Sequence, residues 1–237
     1  MAMTIKNEDE IRRMDEAGQI VALIHSRIEQ VVAPGIATGD LDDIARDTLV
    51  ETGAISSFLH YPGAFSPFPA HICTSVNEEI VHGIPGRRRL RDGDIISVDV
   101  GAILHGYHGD SAWTYPVGQI SDDAAELLRD TEEALGLAIE AAASGNRLGA
   151  VGHAVAAHAM RRGRGVVREY GGHGIGRRMH EEPHVPNHGT PDRGVQLRTG
   201  LTLAIEPMLT AGGEDTRTLA DGWTVVTADG SIAAHFE

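Results

Sequence analysis

Two aspartates in the segment from Asp92 to Ser111, DGDIISVDVGAILHGYHGDS, are the first residues that could do chemistry. Asp99 stands among β-branched residues, which are typical of a strand that is at least half buried. Two short strands joined at Leu104–His105–Gly106 would place Asp99 and Asp110 close together on one face of a hairpin. An ionised carboxylate in an apolar run must be paired or bound to a metal. The segment therefore predicts a cation bound beside the two aspartates. The alternative is that both are ordinary turn residues or residues of an edge strand.

A histidine flanked by glycines, His173 in the run from Tyr170 to Gly176, is the next candidate. Neighbouring glycines remove the contacts that a core residue needs and let a ligand approach the backbone closely. The run is not a dinucleotide-binding loop, because its glycine spacing differs and no helix follows it. His173 is therefore either a metal ligand or an ordinary loop histidine.

The sequence HEEPH, from His180 to His184, matches the H-E-x-x-H pattern of zinc proteases. That pattern binds zinc only on a helix, where the two histidines share a face. Pro183 lies inside the motif and Pro186 follows it, and prolines interrupt a helix. We therefore predict an extended loop here, whereas a zinc-protease site would require a helix.

Length and composition restrict the class of protein. The chain has 237 residues, 41% of them hydrophobic, which is enough for a full core. No apolar stretch approaches the ~18 residues that span a bilayer, and the charged N-terminus shows no secretion signal. The single cysteine, Cys73, excludes an internal disulfide and suits the cytoplasm. The net charge of −14 argues against a general nucleic-acid binder, although Arg87–Arg89 and Arg91 form a local basic loop.

Helical periodicity predicts the elements that position these residues. The first helix begins at a capping box of Asn7 and Glu10 and ends at Pro34–Gly35. The second begins with Thr38 as its N-cap and ends at Gly53. A strand follows from His71 to Val76. The third helix, capped by Ser121, runs through about Ala143, and the fourth ends near Gly163.

The order of helix, glycine, short helix and glycine occurs twice, which predicts an internal duplication. The glycines share an offset of 110 residues: Gly35 and Gly53 in the first half, Gly145 and Gly163 in the second. With that offset Asp99 falls near Glu206, in a second apolar strand from Leu201. The chain ends in a predicted closing hairpin with a turn at Asp229–Gly230, and its final residue, Glu237, is again an acid.

Four carboxylates and one imidazole thus stand out as candidate metal ligands: Asp99, Asp110, His173, Glu206 and Glu237. Four carboxylates can balance two divalent cations. Their oxygen-rich character suits Mn, Fe, Co or a catalytic Zn pair better than a structural zinc site. Such a pair of ions can polarise a carbonyl group.

The motifs around these residues resemble the type I methionine aminopeptidases. In chain order they are CTSVNEEIVHGIP from Cys73 to Pro85, SVDVG, HGD, GGHGIG, HEEP, AIEPM and the closing HFE. The resemblance runs from the first helix to the last residue.

This resemblance implies an α+β protein with the pita-bread fold, in which two pseudo-twofold-related halves of antiparallel sheet are covered by helices. It implies a single catalytic domain over residues 1–237, with halves of approximately 1–116 and 117–237. The implied activity is the metal-dependent removal of the N-terminal initiator methionine from nascent proteins whose second residue is small.

By position, the resemblance also implies roles for individual residues. Two divalent ions (Co, Mn, Fe or Zn) would be held by Asp99 and Glu237 on one side, by Asp110 and Glu206 on the other, and by His173. Glu206 would also act as a proton shuttle. His82 would lie near the scissile amide, and His180 would stabilise the oxyanion of the tetrahedral intermediate.

Five further positions match the lining of a methionine pocket: Tyr61, Phe68, Cys73, Met179 and Trp223. The segment between Tyr61 and Cys73 is longer than is usual in the family, so that Phe65 is an alternative to Phe68. Met179 stands where an aromatic residue is common. The chain stops at Glu237, where family members continue into a further strand, and a ligand on a frayed terminus would be held poorly.

Two other classes of protein are alternatives to a methionine aminopeptidase. The prolidase and aminopeptidase P group shares the fold and ligand set but usually carries an additional N-terminal domain. A non-catalytic binding module on the same fold is a second alternative, but it would have no need for all five metal ligands together with His82 and His180. The expected protein is a cytoplasmic monomer that acts on nascent chains without membrane or specific nucleic-acid partners, and the arginine loop admits a transient contact with the ribosome.

Overall fold

The computed structural model describes residues 3–237, which form four helices and thirteen strands. The helices are α1 (Glu8–Glu29), α2 (Thr38–Thr52), α3 (Asp122–Ala141) and α4 (Leu148–Arg162). The strands of the first half are β1 (Ile55–Ser56), β2 (Ile72–Val76), β3 (Glu79–Val81), β4 (Ile95–Leu104) and β5 (Tyr107–Pro116). Those of the second half are β6 (Gly165–Val166), β7 (Gly171–Gly174), β8 (Glu181–Pro186), β9 (Leu203–Ala204), β10 (Met208–Thr210), β11 (Thr216–Thr218), β12 (Val225–Thr227) and β13 (Ala233–His235). Within the described range, no helix is both long enough and apolar enough to cross a membrane.

Local capping chemistry sets the helix starts. The predicted capping box of Asn7 and Glu10 is present at α1. The prediction of Thr38 as the N-cap of α2 is wrong by one residue, because Ala37 occupies that position. The Asp40 carboxylate accepts the Ala37 N–H at 2.9 Å, while the Thr38 hydroxyl accepts the Gly86 N–H at 2.9 Å. Thr38 therefore ties α2 to the loop before β4 instead of capping its own helix.

The hairpin of β4 and β5 forms the centre of the first half. Both strands have ten residues, which makes them longer than the short strands predicted, and they join at His105–Gly106. Asp99 lies opposite Ala112, and Asp110 lies opposite Gly101. Since residues two apart on a strand share a face, Asp99 and Asp110 point to the same side of the sheet, as predicted. On the other edge of β4, β2 places Cys73 opposite Asp99.

The internal duplication is visible in the backbone. Helices α2 and α4 each have fifteen residues and are offset by 110 positions. The glycines that end them, Gly53 and Gly163, have φ angles of 71° and 69°, in the left-handed region that glycine adopts without strain. Strands β1 and β6 share the same offset, and each pairs antiparallel with a central strand of its own half, β4 or β10. Each half also has its own main apolar core, one under α1 and α2 and one under α3 and α4.

Two predictions about the second half need correction. The expected strand from Leu201 to Glu206 is reduced to β9, so that Glu206 lies just beyond a strand end. The expected closing hairpin is wrong, because β12 pairs with β11 and β3 whereas β13 pairs with β10. The Asp229 carboxylate accepts hydrogen bonds from the N–H groups of Gly213 and Ser231. These bonds hold a turn at which the chain passes from one sheet to another.

Candidate metal centre and substrate cavity

The five predicted metal ligands converge from five separate strands or strand ends. Asp99 and Asp110 come from β4 and β5, and His173 comes from β7. Glu206 and Glu237 each lie two residues beyond the end of a strand, β9 and β13 respectively. Ligand atoms of Asp110, His173 and Glu237 lie within 4.8 Å of one another. This separation is small enough for the three side chains to bind one cation together.

His173 is oriented by its own strand. Its Nδ1 lies 2.9 Å from the Gly174 carbonyl oxygen, which can accept a hydrogen bond only if Nδ1 carries the proton. The free Nε2 then faces the acids, 3.7 Å from Asp110 Oδ2 and 3.6 Å from Glu206 Oε1. A carbonyl that fixes the tautomer in this way is the usual support of a metal-binding histidine.

The glycines beside His173 are required by the sheet as well as by any ligand. A Cβ atom on Gly172 would lie 2.2 Å from the Ala204 carbonyl oxygen, and one on Gly174 would lie 2.3 Å from that of Glu182. Only glycine lets β7 approach β8 and β9 this closely. The close packing brings His173 and Glu206 into one site.

Glu237 is held by β5 although it is the last residue of the sequence. Its N–H donates to the Ala112 carbonyl oxygen at 2.8 Å, and its main-chain carbonyl oxygen accepts the Ser111 hydroxyl at 2.9 Å. These bonds place Glu237 beside Asp110. The carboxylate is therefore positioned by paired backbone and not by a frayed end.

The carboxylates repel one another in the absence of a cation. Burial raises the pKa of Asp99 to about 7, and burial with the charge of Asp99 raises the pKa of Glu206 to about 8. The pKa values of Asp110 and Glu237 are raised well above the ordinary range, by burial and by the neighbouring acids. Among the described residues, three buried carboxylate oxygens lack a hydrogen-bond partner: Asp99 Oδ1, Asp110 Oδ1 and Glu237 Oε1. Several unpaired carboxylate oxygens buried close together destabilise the folded state unless a cation binds them. Divalent cations fit such a site.

We expect the metal-stripped protein to lose stability as the pH rises from about 5 to about 8. Protons bound to Asp99 and Glu206 in the folded state, whose pKa values are about 7 and 8, are already lost from the unfolded chain in this range. Each unit of pKa difference corresponds to about 1.4 kcal/mol. Urea titrations at several pH values measure the effect, and added Mn²⁺ should abolish it. A stability that rises with pH in metal-free buffer would contradict this electrostatic account.

One cavity of about 150 Å³ adjoins the acids. Every residue that the sequence assigned to the site lines it: Tyr61, Phe68, Cys73, His82, Asp99, Asp110, His173, Met179, His180, Glu206, Trp223 and Glu237. Phe68 is 2% exposed, whereas the alternative, Phe65, is 88% exposed. The apolar part of the cavity is therefore built from Phe68 and not from Phe65.

Two further imidazoles flank the cavity. His180 Nδ1 lies 2.7 Å from the Tyr61 hydroxyl, and its ring centroid lies 4.2 Å from that of His173. His82 packs edge-on against Tyr170 and Trp223, and burial lowers its pKa to about 4. His82 is therefore neutral near pH 7 and can donate or accept a hydrogen bond.

The long segment after Tyr61 supports the wall of the cavity. The Trp223 indole N–H donates to the Ser66 carbonyl oxygen at 3.1 Å, and the indole packs edge-on against Phe68. A Cβ atom on Gly63 would lie 2.3 Å from the indole ring. The additional residues thus fix the orientation of Trp223.

The structure adds two residues that the sequence interpretation missed. Phe58 lines the cavity, and its position as an aromatic residue three places before Tyr61 was the available signal. His235 is 2% exposed, and its Nε2 lies 3.7 Å from Glu206 Oε2. His235 precedes Glu237 by two positions in an extended segment, so that the two side chains point to the same face. This spacing was the signal that could have identified His235.

The HEEPH segment is not helical, as predicted. Residues Glu181–Pro186 form β8, and His184 lies opposite His173 in the strand register. The two histidines of the motif therefore do not share a helical face. A zinc-protease site of the H-E-x-x-H type is excluded.

A model of metallopeptidase family M24 matches residues 12–237. The chain belongs to metallopeptidase family M24. Metallopeptidases use divalent metal ions, which agrees with the cluster of potential metal ligands described above. A Bacillus subtilis (strain 168) protein named methionine aminopeptidase 1 is 53% identical over 232 residues, or 98% of this chain and 92% of that protein. A Mycobacterium tuberculosis protein of the same name is 47% identical over 98% of this M24 chain and 88% of that relative.

Solved structures show the same pita-bread architecture. The crystal structure of methionine aminopeptidase from Thermotoga maritima superposes with a TM-score of 0.96 and 42% identity, over 99% of this M24 chain and 93% of that chain. A Xaa-Pro dipeptidase from Bacillus anthracis has a TM-score of 0.71 and 21% identity, and this chain covers only 57% of it. The second comparison shows a shared fold alone. The α+β pita-bread prediction is confirmed.

Proposed function

We propose that this protein is a methionine aminopeptidase that removes the initiator methionine from nascent proteins when the second residue is small. The observation that carries the proposal is that the acids, three imidazoles and an apolar slot line one cavity of about 150 Å³. Relatives of this name at 47% and 53% identity over nearly the whole chain support it. The prolidase alternative has weaker support, because those relatives share the fold at about 21% identity and are much longer.

We assign the cations to Asp99, Asp110, His173, Glu206 and Glu237, which fit two divalent ions by charge. When bound, such ions supply Lewis acidity and lower the pKa of water. Mn, Co, Fe and Zn all suit this donor set, which is rich in oxygen and includes one imidazole. The orphan oxygens of Asp99, Asp110 and Glu237 support the assignment.

Glu206 is the group that we assign to proton transfer. It lies between two imidazoles, with His173 Nε2 near Oε1 and His235 Nε2 near Oε2. Burial and the nearby Asp99 raise its pKa to about 8 without a cation. A bound cation would lower that pKa and leave Glu206 ionised, as a group that accepts a proton from water must be. In the reaction it accepts a proton from water and delivers it to the departing amine.

The two other imidazoles act on the substrate carbonyl and amide. We assign the tautomer in which the Tyr61 hydroxyl donates to His180 Nδ1. His180 then carries its proton on Nε2 and donates a hydrogen bond to the developing oxyanion. His82 lies near the scissile amide and orients it. Both groups are kept neutral by burial, which lowers their pKa values.

The apolar end of the cavity selects the first residue of the substrate. Phe58, Tyr61, Phe68, Cys73, Met179 and Trp223 provide this surface. Aromatic rings and sulfur atoms make favourable contacts with a thioether. We assign this small cavity of about 150 Å³ to the side chain of the first residue alone.

We assign residues 1–237 to one catalytic domain, because residues of both halves line the cavity. The halves are about 1–116 and 117–237, and each has its own main apolar core. The enzyme works in the cytoplasm as a monomer, and Arg87–Arg89 with Arg91 offer a basic loop for transient contact with the ribosome. Release of methionine from Met-Ala-Ser tests the function, and failure to release it with either Co²⁺ or Mn²⁺ would overturn the proposal.

A further inference from the structure

A buried ion pair joins Lys6, before α1, to Glu181, at the start of β8. Lys6 Nζ lies 2.7 Å from Glu181 Oε2, and the two side chains are only 5% and 6% exposed. Thr4 Oγ1 accepts a hydrogen bond from Lys6 Nζ at 2.6 Å and donates one to the same carboxylate. Glu181 is the residue after His180 and the first residue of β8. The segment before α1 is thus attached to the loop that carries two cavity residues, Met179 and His180.

Glu181 also binds the backbone of that loop. Its Oε1 accepts the Arg178 N–H at 3.3 Å, and the Gly176 N–H donates to the Arg178 carbonyl oxygen at 3.1 Å. The carboxylate therefore connects Lys6 on one side with the turn of residues 176–180 on the other. Burial raises the pKa of Glu181, but hydrogen bonds from Lys6 and Thr4 outweigh it and lower the pKa to about 2, so the carboxylate is ionised.

The site is shaped for a lysine. The sequence has 20 lysines and arginines, and Lys6 is the only lysine among them. A Cβ atom on Gly176 would lie 2.5 Å from Lys6 Cε, so that the glycine makes room for a slender ammonium side chain. The Lys6 N–H also donates to the Gly200 carbonyl oxygen at 2.7 Å, which fixes the backbone of the segment. A planar guanidinium has a different shape and a bidentate geometry that this contact does not match.

We propose that Lys6 is a positioning residue for His180: its ammonium group holds Glu181, and Glu181 holds the loop that presents His180 to the cavity. The inference rests on the proposed function, because it concerns the group assigned to the oxyanion. An oxyanion donor acts in the transition state and contributes little to ground-state binding. Displacement of His180 therefore lowers kcat more than it changes KM.

The test is the Lys6→Met variant, which keeps the length of the side chain and removes its charge. We expect kcat for methionine release from Met-Ala-Ser to fall by about tenfold to 10²-fold, with a much smaller change in KM, because small displacements of a catalytic group cost this much. Bound metal per chain should stay at the wild-type value, since Lys6 contacts none of the assigned ligands. The His180 imidazole resonances should shift in the NMR spectrum of the variant.

Two companion variants separate positioning from general stability. Glu181→Gln should lower kcat in the same way, and the double variant Lys6→Met with Glu181→Gln should be no slower than the slower single variant, because both substitutions break one connection. Arg12→Met is the matched control. It removes an exposed ion pair with Asp9, in which the side chains are 67% and 74% exposed, and should leave kcat, KM and the His180 resonances unchanged.

A measurement on the unaltered protein guards against a variant that fails to fold. Because Lys6 is the only lysine, reductive methylation with formaldehyde and cyanoborohydride reports on one side-chain amine. We expect it to react in urea and to be protected in native buffer. Equal reaction in both conditions, or an active Lys6→Met enzyme with wild-type kcat, would overturn the inference. A wild-type protein that releases no methionine would instead overturn the proposed function.

Discussion

Replacing His173 with alanine is expected to remove most of the metal and most of the activity. The His173 Nε2 atom lies 3.6 to 3.7 Å from two of the assigned acids, and its loss leaves the carboxylates without the one neutral donor of the set. Even changes outside the ligands themselves reduce metal affinity by about 10- to 100-fold, so the loss of a ligand should cost at least that much. Equilibrium dialysis with Mn²⁺ and initial rates on Met-Ala-Ser measure the two effects.

His158→Ala is the matched control for this substitution. His158 is also a buried histidine beside acids, Asp130 and Glu133, but it lies on α4 away from the cavity. Arg162 and Arg164 already pair with those acids, which disfavours a cation there. The control should keep its metal and its activity. A His173→Ala enzyme with unchanged metal content and rate would show that the ligand assignment is wrong.

The second large effect is expected for Glu206→Gln, which preserves shape and removes the proton carrier. We expect kcat to fall by about 10²- to 10⁴-fold, the range for loss of a positioned acid or base. The substitution also removes one negative charge from a cluster of four buried acids. The metal-free variant should therefore be more stable than the metal-free wild type at pH 8, where ionised Glu206 is costly, and the difference should vanish near pH 5.

Rates on Met-Ala-Ser and urea midpoints at the two pH values test this pair of effects. Glu214→Gln is a suitable control, because Glu214 pairs with Arg168 on the surface, with side chains 47% and 58% exposed. Exposed pairs of this kind contribute about 0 to 1 kcal/mol. Wild-type kcat in the Glu206→Gln enzyme would eliminate Glu206 as the proton carrier.

The residues of the site could be found from the sequence because their side chains do not match the neighbouring residues in the chain. Asp99 is an acid inside an apolar strand, and His173 is a histidine among glycines, so that each conflicts with its surroundings unless it binds something. The register of the β4–β5 hairpin followed from its short turn at His105–Gly106. Local signals of this kind do not depend on the rest of the chain.

The missed features depend on contacts between distant parts of the sequence. Thr38 looked like an N-cap, but its hydroxyl binds Gly86, 48 residues away. Strands β12 and β13 looked like the two strands of one hairpin, but they lie in two different sheets. Lys6 shows no local pattern at all, because its partner Glu181 is 175 residues further along the chain. Such pairings are chosen by tertiary packing, which local propensity does not report.

Hydrolysis of a series of peptides, with and without added metal, is the decisive measurement for the proposed methionine aminopeptidase activity. Metal-stripped protein, with and without Co²⁺ or Mn²⁺, would be given Met-Ala-Ser, Gly-Pro-containing peptides and Xaa-Pro peptides, and released amino acids would be measured. We expect release of methionine from Met-Ala-Ser only after metal is added, and no cleavage of the proline peptides. Cleavage of the proline peptides in place of Met-Ala-Ser, or no cleavage of any peptide with either metal, would contradict it.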